Sequence, residues 1–180
     1  MFALDSTVMV LVDVQERLAP EIAHMEVCNQ NITRLLKASA ELNIPLLVTE
    51  QYPEGLGETI AELKVLIDDA TPVISKTTFS CLGEPDFCAQ MTKKQYQTVV
   101  LFGIEAHVCV FQTALDARKK GYDVIVIADA VSSRTEQNKQ YAIEQMRQEG
   151  IRIFSTEMFL FMALKDAKHP RFKAILESLK

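Results

Sequence analysis

The sequence predicts an α/β fold, a three-layer α/β/α sandwich built around a mostly parallel sheet of about six strands. Three observations carry this. Six short β-branched or apolar runs lack the polar alternation of a half-exposed strand, so they read as strands covered on both faces. Amphipathic stretches of helical period lie between them and are long enough to serve as crossovers. Strand and helix alternate from end to end, which implies right-handed βαβ units and a Rossmann-like arrangement.

In chain order, the strands are expected at 7–12 (TVMVLV), 45–49 (PLLVT), 72–75 (PVIS), 98–102 (TVVLF), 123–128 (DVIVIA) and 151–154 (IRIF). Helices are expected near 29–42, 57–68, 85–94, 108–120 and 136–149. Gly121 after Lys119-Lys120, and Gly150 after 147–149, are stop signals for two of them. The tail, 156–180, holds two further helical stretches divided near His169-Pro170. There is no internal repeat, low-complexity segment or linker, so residues 1–180 read as a single domain.

The chain of 180 residues is long enough to bury a substantial core, and 48% hydrophobic with 24% charged residues is ordinary for a globular protein. A net charge of -5 argues against nucleic acid as a partner, because phosphate binding needs clustered Lys and Arg. The first residues carry acidic groups rather than the basic start and small-residue cleavage site of a signal peptide, and their apolar run is too short to span a bilayer. The expected location is therefore cytoplasmic, with no membrane partner. Cys28, Cys81, Cys88 and Cys109 show no CxxC spacing and are expected to be reduced. His24, His107 and His169 are widely separated, so neither a metal nor another cofactor is inferred.

In open α/β sheets, ligands bind beyond the carboxyl ends of the strands. Three reactive side chains fall on that edge. Cys109, in GIEAHVCV at 103–110, sits between a strand and the first turn of a helix, where free N–H groups and the helix dipole favour a thiolate. Asp13 directly follows the first strand, where apolar walls favour a carboxylate acting as a base. Lys76, after the third strand, is suited to holding a thiolate or steadying a developing negative charge. Each has an ordinary counterpart: a buried small hydrophobe, a turn or helix-cap aspartate, and a solvated loop lysine. Together they form a nucleophile, a base and a cation.

Four motifs, LVDVQ at 11–15, SKTTFSC at 75–81, GIEAHVCV at 103–110 and ADAVSSR at 128–134, resemble in this order the isochorismatase-like cysteine hydrolase superfamily, which includes nicotinamidases and N-carbamoylsarcosine amidases. The resemblance covers nearly the whole length and implies one isochorismatase-like hydrolase domain over 1–180. It implies a catalytic triad of Cys109, Asp13 and Lys76, and a cis peptide at Ile104-Glu105 that turns the backbone N–H groups of Glu105 and Cys109 toward an oxyanion. It also implies a small-molecule substrate and a homo-oligomer, to which the apolar segment at 158–162 lends some support.

Departures from the pattern narrow the expectation. Glu50-Gln51-Tyr52-Pro53 follows the second strand where nicotinamidases carry metal-binding Asp and His, which weakens that activity. Vinyl-ether-cleaving isochorismatases generally lack the nucleophilic cysteine, and Ala106 stands where relatives often carry threonine. The likeness is strongest to the metal-free subgroup of YcaC-type and animal isochorismatase-domain proteins. The expected activity is cleavage of an amide, carbamoyl or related C–N bond through a thioester. The alternatives are a thiol-sensing or ligand-binding protein without efficient turnover, and a non-covalent vinyl-ether hydrolase. Gln15, Tyr52, Phe79 and Leu82 are candidate pocket residues, and Arg134 is expected to form a helix-start salt bridge.

Overall fold

The computed structural model describes residues 2–179. Six strands, β1 (Thr7–Val12), β2 (Leu46–Gln51), β3 (Val73–Lys76), β4 (Thr98–Ile104), β5 (Asp123–Ser132) and β6 (Arg152–Phe154), form one sheet in the order β3-β2-β1-β4-β5-β6. Every pairing is parallel. The central strands β1 and β4 are buried at every position, which is why their sequences are continuous apolar runs.

The side chains of β1 alternate between two cores. Met9 and Leu11 pack with Cys28, Ile32, Leu35 and Leu36 of α1 (Met25–Glu41) and with the C-terminal helices α7 (Thr156–Leu164) and α8 (Phe172–Ser178). Val8, Val10 and Val12 face the opposite core, filled by Phe87 and Met91 of α4 (Pro85–Lys93), Ala114 and Ala117 of α5 (Phe111–Lys119), and Ala142 and Met146 of α6 (Glu136–Gln148). Burying each large aliphatic side chain contributes about 1.5–3 kcal/mol, so the two cores hold the sheet between its helical layers. The three-layer fold follows from this alternation.

Three elements differ from the expectation. The helix expected at 57–68 is replaced by two single turns, α2 (Pro53–Leu56) and α3 (Ala61–Lys64). Gly57 at φ 78° turns the chain back, Gln15 and Thr59 form an isolated antiparallel bridge, and the buried Glu50 carboxylate accepts the N–H and hydroxyl of Thr59. The segment is thereby pinned across the ends of β1 and β2, and local helical period loses to these tertiary bonds. Strand β5 runs on to Ser132 rather than stopping at residue 128, because after a register shift Val131 and Ser132 pair with Gly103 and Ile104. The expected helix start at 108 is a π-helical turn over Ala106–Val110 that leads into α5. Among the described residues, no helix is long and apolar enough to cross a membrane.

Candidate active site

The order of strands reverses between β1 and β4, and the expected reactive residues meet beyond the carboxyl ends at this point. Asp13 leaves β1 with φ 51°, Lys76 is the last residue of β3, and Cys109 lies in the π-helical turn after β4. Gly103, at φ 117°, permits the approach of β4 to β1 there. A Cβ at this position would fall 2.2 Å from the Val12 carbonyl oxygen.

Asp13 is wholly buried, and its two carboxylate oxygens are held by different donors. Thr49 Oγ1 donates to Oδ1 at 2.7 Å, and Lys76 Nζ donates to Oδ2 at 2.7 Å. The Cys109 thiol, 6% exposed, lies close enough to the same carboxylate to feel its charge. Lys76 Nζ also lies 2.7 Å from Gln51 Oε1, 3.2 Å from the Thr78 carbonyl and 3.3 Å from the Phe79 carbonyl. Four oxygens therefore compete for three N–H bonds, and none is left over for a substrate oxygen. Burial disfavours the charged ammonium, but Asp13 and the neighbouring groups outweigh it and raise the Lys76 pKa.

The thiolate expected from the helix start is not the resting species. Burial pushes the Cys109 thiol up, Asp13 adds to that rise, and Lys76 only partly opposes it. The positive charge of Lys76 is already matched by Asp13, so the sulfur sits beside a net-neutral pair. The resting site is a thiol beside a carboxylate that is itself paired with an ammonium.

The turn around Cys109 is fixed from β5. The Ile104-Glu105 peptide is cis. Val108 and Val110 donate their N–H groups to the Glu105 carbonyl. The buried Glu105 carboxylate accepts the Arg134 backbone N–H, Nε at 3.1 Å and Nη2 at 2.8 Å. Burial alone would raise the Glu105 pKa, but the bonds from Arg134 hold it below the usual carboxylate range. A carboxylate with a depressed folded pKa stabilises the protein above its unfolded pKa, and this contribution is lost as pH falls through the folded value. Arg134→Met is therefore expected to cost about 1–2 kcal/mol near neutral pH and to flatten the acid side of the stability curve, as urea denaturation from pH 3 to 7 would show.

Among the pocket candidates, Tyr52 and Phe79 are 55% and 54% exposed and flank Lys76, since Tyr52 N–H bonds the Lys76 carbonyl and the Phe79 carbonyl accepts from Lys76. Leu82 is half-buried against the second core. Gln15 is wholly buried with its amide consumed by backbone: Nε2 donates to the Gln51 and Gly57 carbonyls, and Oε1 accepts Gln51 N–H. It braces the strand ends rather than lining a pocket. Sequence reading missed Thr49, Gln51 and Cys81. Only the register Val12↔Thr49 puts Thr49 beside Asp13, and register is visible once strand order is known. A cavity of about 600 Å³ between residues such as Asn43, Pro45, Pro72 and Tyr96 lies at the opposite end of the sheet, and Asp13, Lys76 and Cys109 are not among its lining residues.

The sequence matches the isochorismatase domain over residues 7–158. It is 39% identical over 173 residues to isochorismatase domain-containing protein 2 of Danio rerio, spanning 96% of this chain and 86% of that one. It is also 39% identical over 179 residues to the secreted isochorismatase effector Isc1 of Phytophthora sojae, spanning 97% and 85%. Among solved structures, the MAR1 ribonuclease from Caenorhabditis elegans superposes with a TM-score of 0.93 at 35% identity, over 99% of this chain and 91% of that one. YcaC from Escherichia coli, described as an octameric hydrolase of unknown specificity, shares the fold with a TM-score of 0.88 at 22% identity, over 99% and 95%. The chain belongs to the isochorismatase family, as a hydrolase of the isochorismatase-like superfamily.

Proposed function

We propose that the chain is one cysteine hydrolase domain, residues 1–180, acting on a small-molecule amide, carbamoyl or related C–N bond. The carrying observation is the juxtaposition of the buried Cys109 thiol with a buried Asp13 carboxylate that is held by Lys76. As the sulfur forms a bond to the acyl carbon, its proton passes to Asp13. The backbone N–H groups of Glu105 and Cys109 stabilise the resulting oxyanion, and Lys76 acts through Asp13 because its own N–H bonds are occupied. Collapse breaks the C–N bond and Asp13 protonates the departing nitrogen. Water, activated by Asp13, then hydrolyses the thioester and restores the thiol. Neither a metal nor a cofactor takes part.

The reading includes a cytoplasmic location and a homo-oligomer. Exposed Met158 and Phe161 on α7 support a contact between copies. A thiol sensor loses support because the Cys109 pKa is raised, whereas ready oxidation favours a lowered one. RNA is a poor fit to a chain of net charge -5, although the MAR1 neighbour is named a ribonuclease.

The proposal is tested by incubating the protein with primary amides, carbamoyl and ureido compounds, quenching in acid, and reading peptide masses. Acyl addition to the Cys109 peptide under turnover is expected. Turnover of RNA or a vinyl ether, with no adduct and no amide cleaved, overturns it.

A further inference from the structure

We infer that Thr49 is a positioning residue for the proposed hydrolysis, its hydroxyl held by Cys81 so that the Asp13 carboxylate stays fixed against the Cys109 thiol. The inference rests on the proposed function for its catalytic meaning, but its geometry stands independently. Thr49 is wholly buried at the strand end next to Asp13, and it has two links to that residue: its carbonyl accepts Asp13 N–H at 3.1 Å and its hydroxyl donates to Oδ1. The hydroxyl has one proton, which goes to Asp13, and it receives the Cys81 thiol at 3.8 Å.

Cys81 is the second thiol near the triad and has no part in the proposed chemistry. It is completely buried, and burial pushes its pKa up to about 11, so it remains a neutral donor. Its own N–H donates to Thr113 Oγ1 at 2.9 Å. Thr113 is one turn beyond Cys109 along α5. A buried chain of Asp13, Thr49, Cys81 and Thr113 thus runs behind the triad and ties the base to the helix that follows the nucleophile. The titratable groups facing Asp13 are Lys76 from β3, Cys81 from the short turn Cys81–Gly83, and Cys109 from the turn after β4.

Without the Thr49 hydroxyl dipole, the carboxylate opposes the formation of a neighbouring thiolate more strongly. The rate of Cys109 alkylation by iodoacetamide at a fixed pH near 9 is then expected to fall roughly three- to tenfold in Thr49→Val, and to recover in Thr49→Ser. Cys81→Ala should slow alkylation less, in the same direction. General loosening of the site would have the opposite sign, because an exposed thiol alkylates faster. An unchanged or faster rate in Thr49→Val, or slowing that Thr49→Ser does not reverse, overturns the inference. The measurement uses no substrate, so a failed amide panel would discredit the hydrolase reading and leave this test intact. Where an amide substrate is found, Thr49→Val is expected to lower kcat with KM unchanged.

Discussion

Cys109→Ala is expected to lower turnover of the acyl substrate by roughly four orders of magnitude while the protein stays folded. The Cys109 sulfur is the proposed nucleophile, whereas the Asp13–Lys76 pair, its four-oxygen cradle and the backbone N–H groups survive its removal. The substitution vacates little volume in the second core, so the stability loss should stay near about 1 kcal/mol. Thermal denaturation and kcat, measured on one preparation, separate the two effects. Cys109→Ser keeps a donor to Asp13 but offers a weaker nucleophile, and should be almost as inactive. Turnover undiminished in Cys109→Ala would rule out the covalent route and leave non-covalent vinyl-ether cleavage as the reading to pursue.

The second large effect is on stability. Lys76→Met leaves the Asp13 carboxylate buried opposite an apolar side chain, with Thr49 as its main fixed donor. Breaking a buried pair from one side costs about 3–5 kcal/mol, which corresponds to a Tm roughly 6–20 °C lower for a domain of this size. Removing both charges in Asp13→Asn with Lys76→Met should recover part of that loss without recovering activity. A double-mutant cycle by urea denaturation reads the coupling directly. If the single Lys76→Met variant were as stable as the parent, the pair would not be the buried, mutually dependent unit that its geometry describes.

The sheet was legible because parallel strands buried on both faces leave unbroken apolar runs, as at 7–12 and 98–102. Asp13, Lys76 and Cys109 were legible for a related reason: Asp13 directly follows such a run, Lys76 ends one and Cys109 lies in the turn after one, so the strand ends placed them on one edge. What escaped were features decided by partners far away in sequence. The 57–68 segment has helical period, yet bonds from Gln15 and Glu50 break it into turns. The Lys76 cradle draws on Gln51, Thr78 and Phe79, so a cation read as holding a thiolate or steadying a developing negative charge has its N–H bonds committed to the protein. The resting state of Cys109 depended on the same balance. The helix start suggested a thiolate, but local dipoles are outweighed once burial and an already matched charge pair are in place.

The edge strand β3 has four residues and presents only Ile74 and Lys76 to the interior. One buried aliphatic group discriminates weakly between alternative alignments, and slipping a strand by one residue exchanges its two faces. A slipped β3 would set Ser75 or Thr77 before Asp13 and send the ammonium toward solvent, stranding a carboxylate with no counter-charge. The Asp13–Lys76 ion pair therefore also acts as the alignment pin of this short edge strand. Selection for a working base and cation would, on this view, have brought correct strand pairing with it.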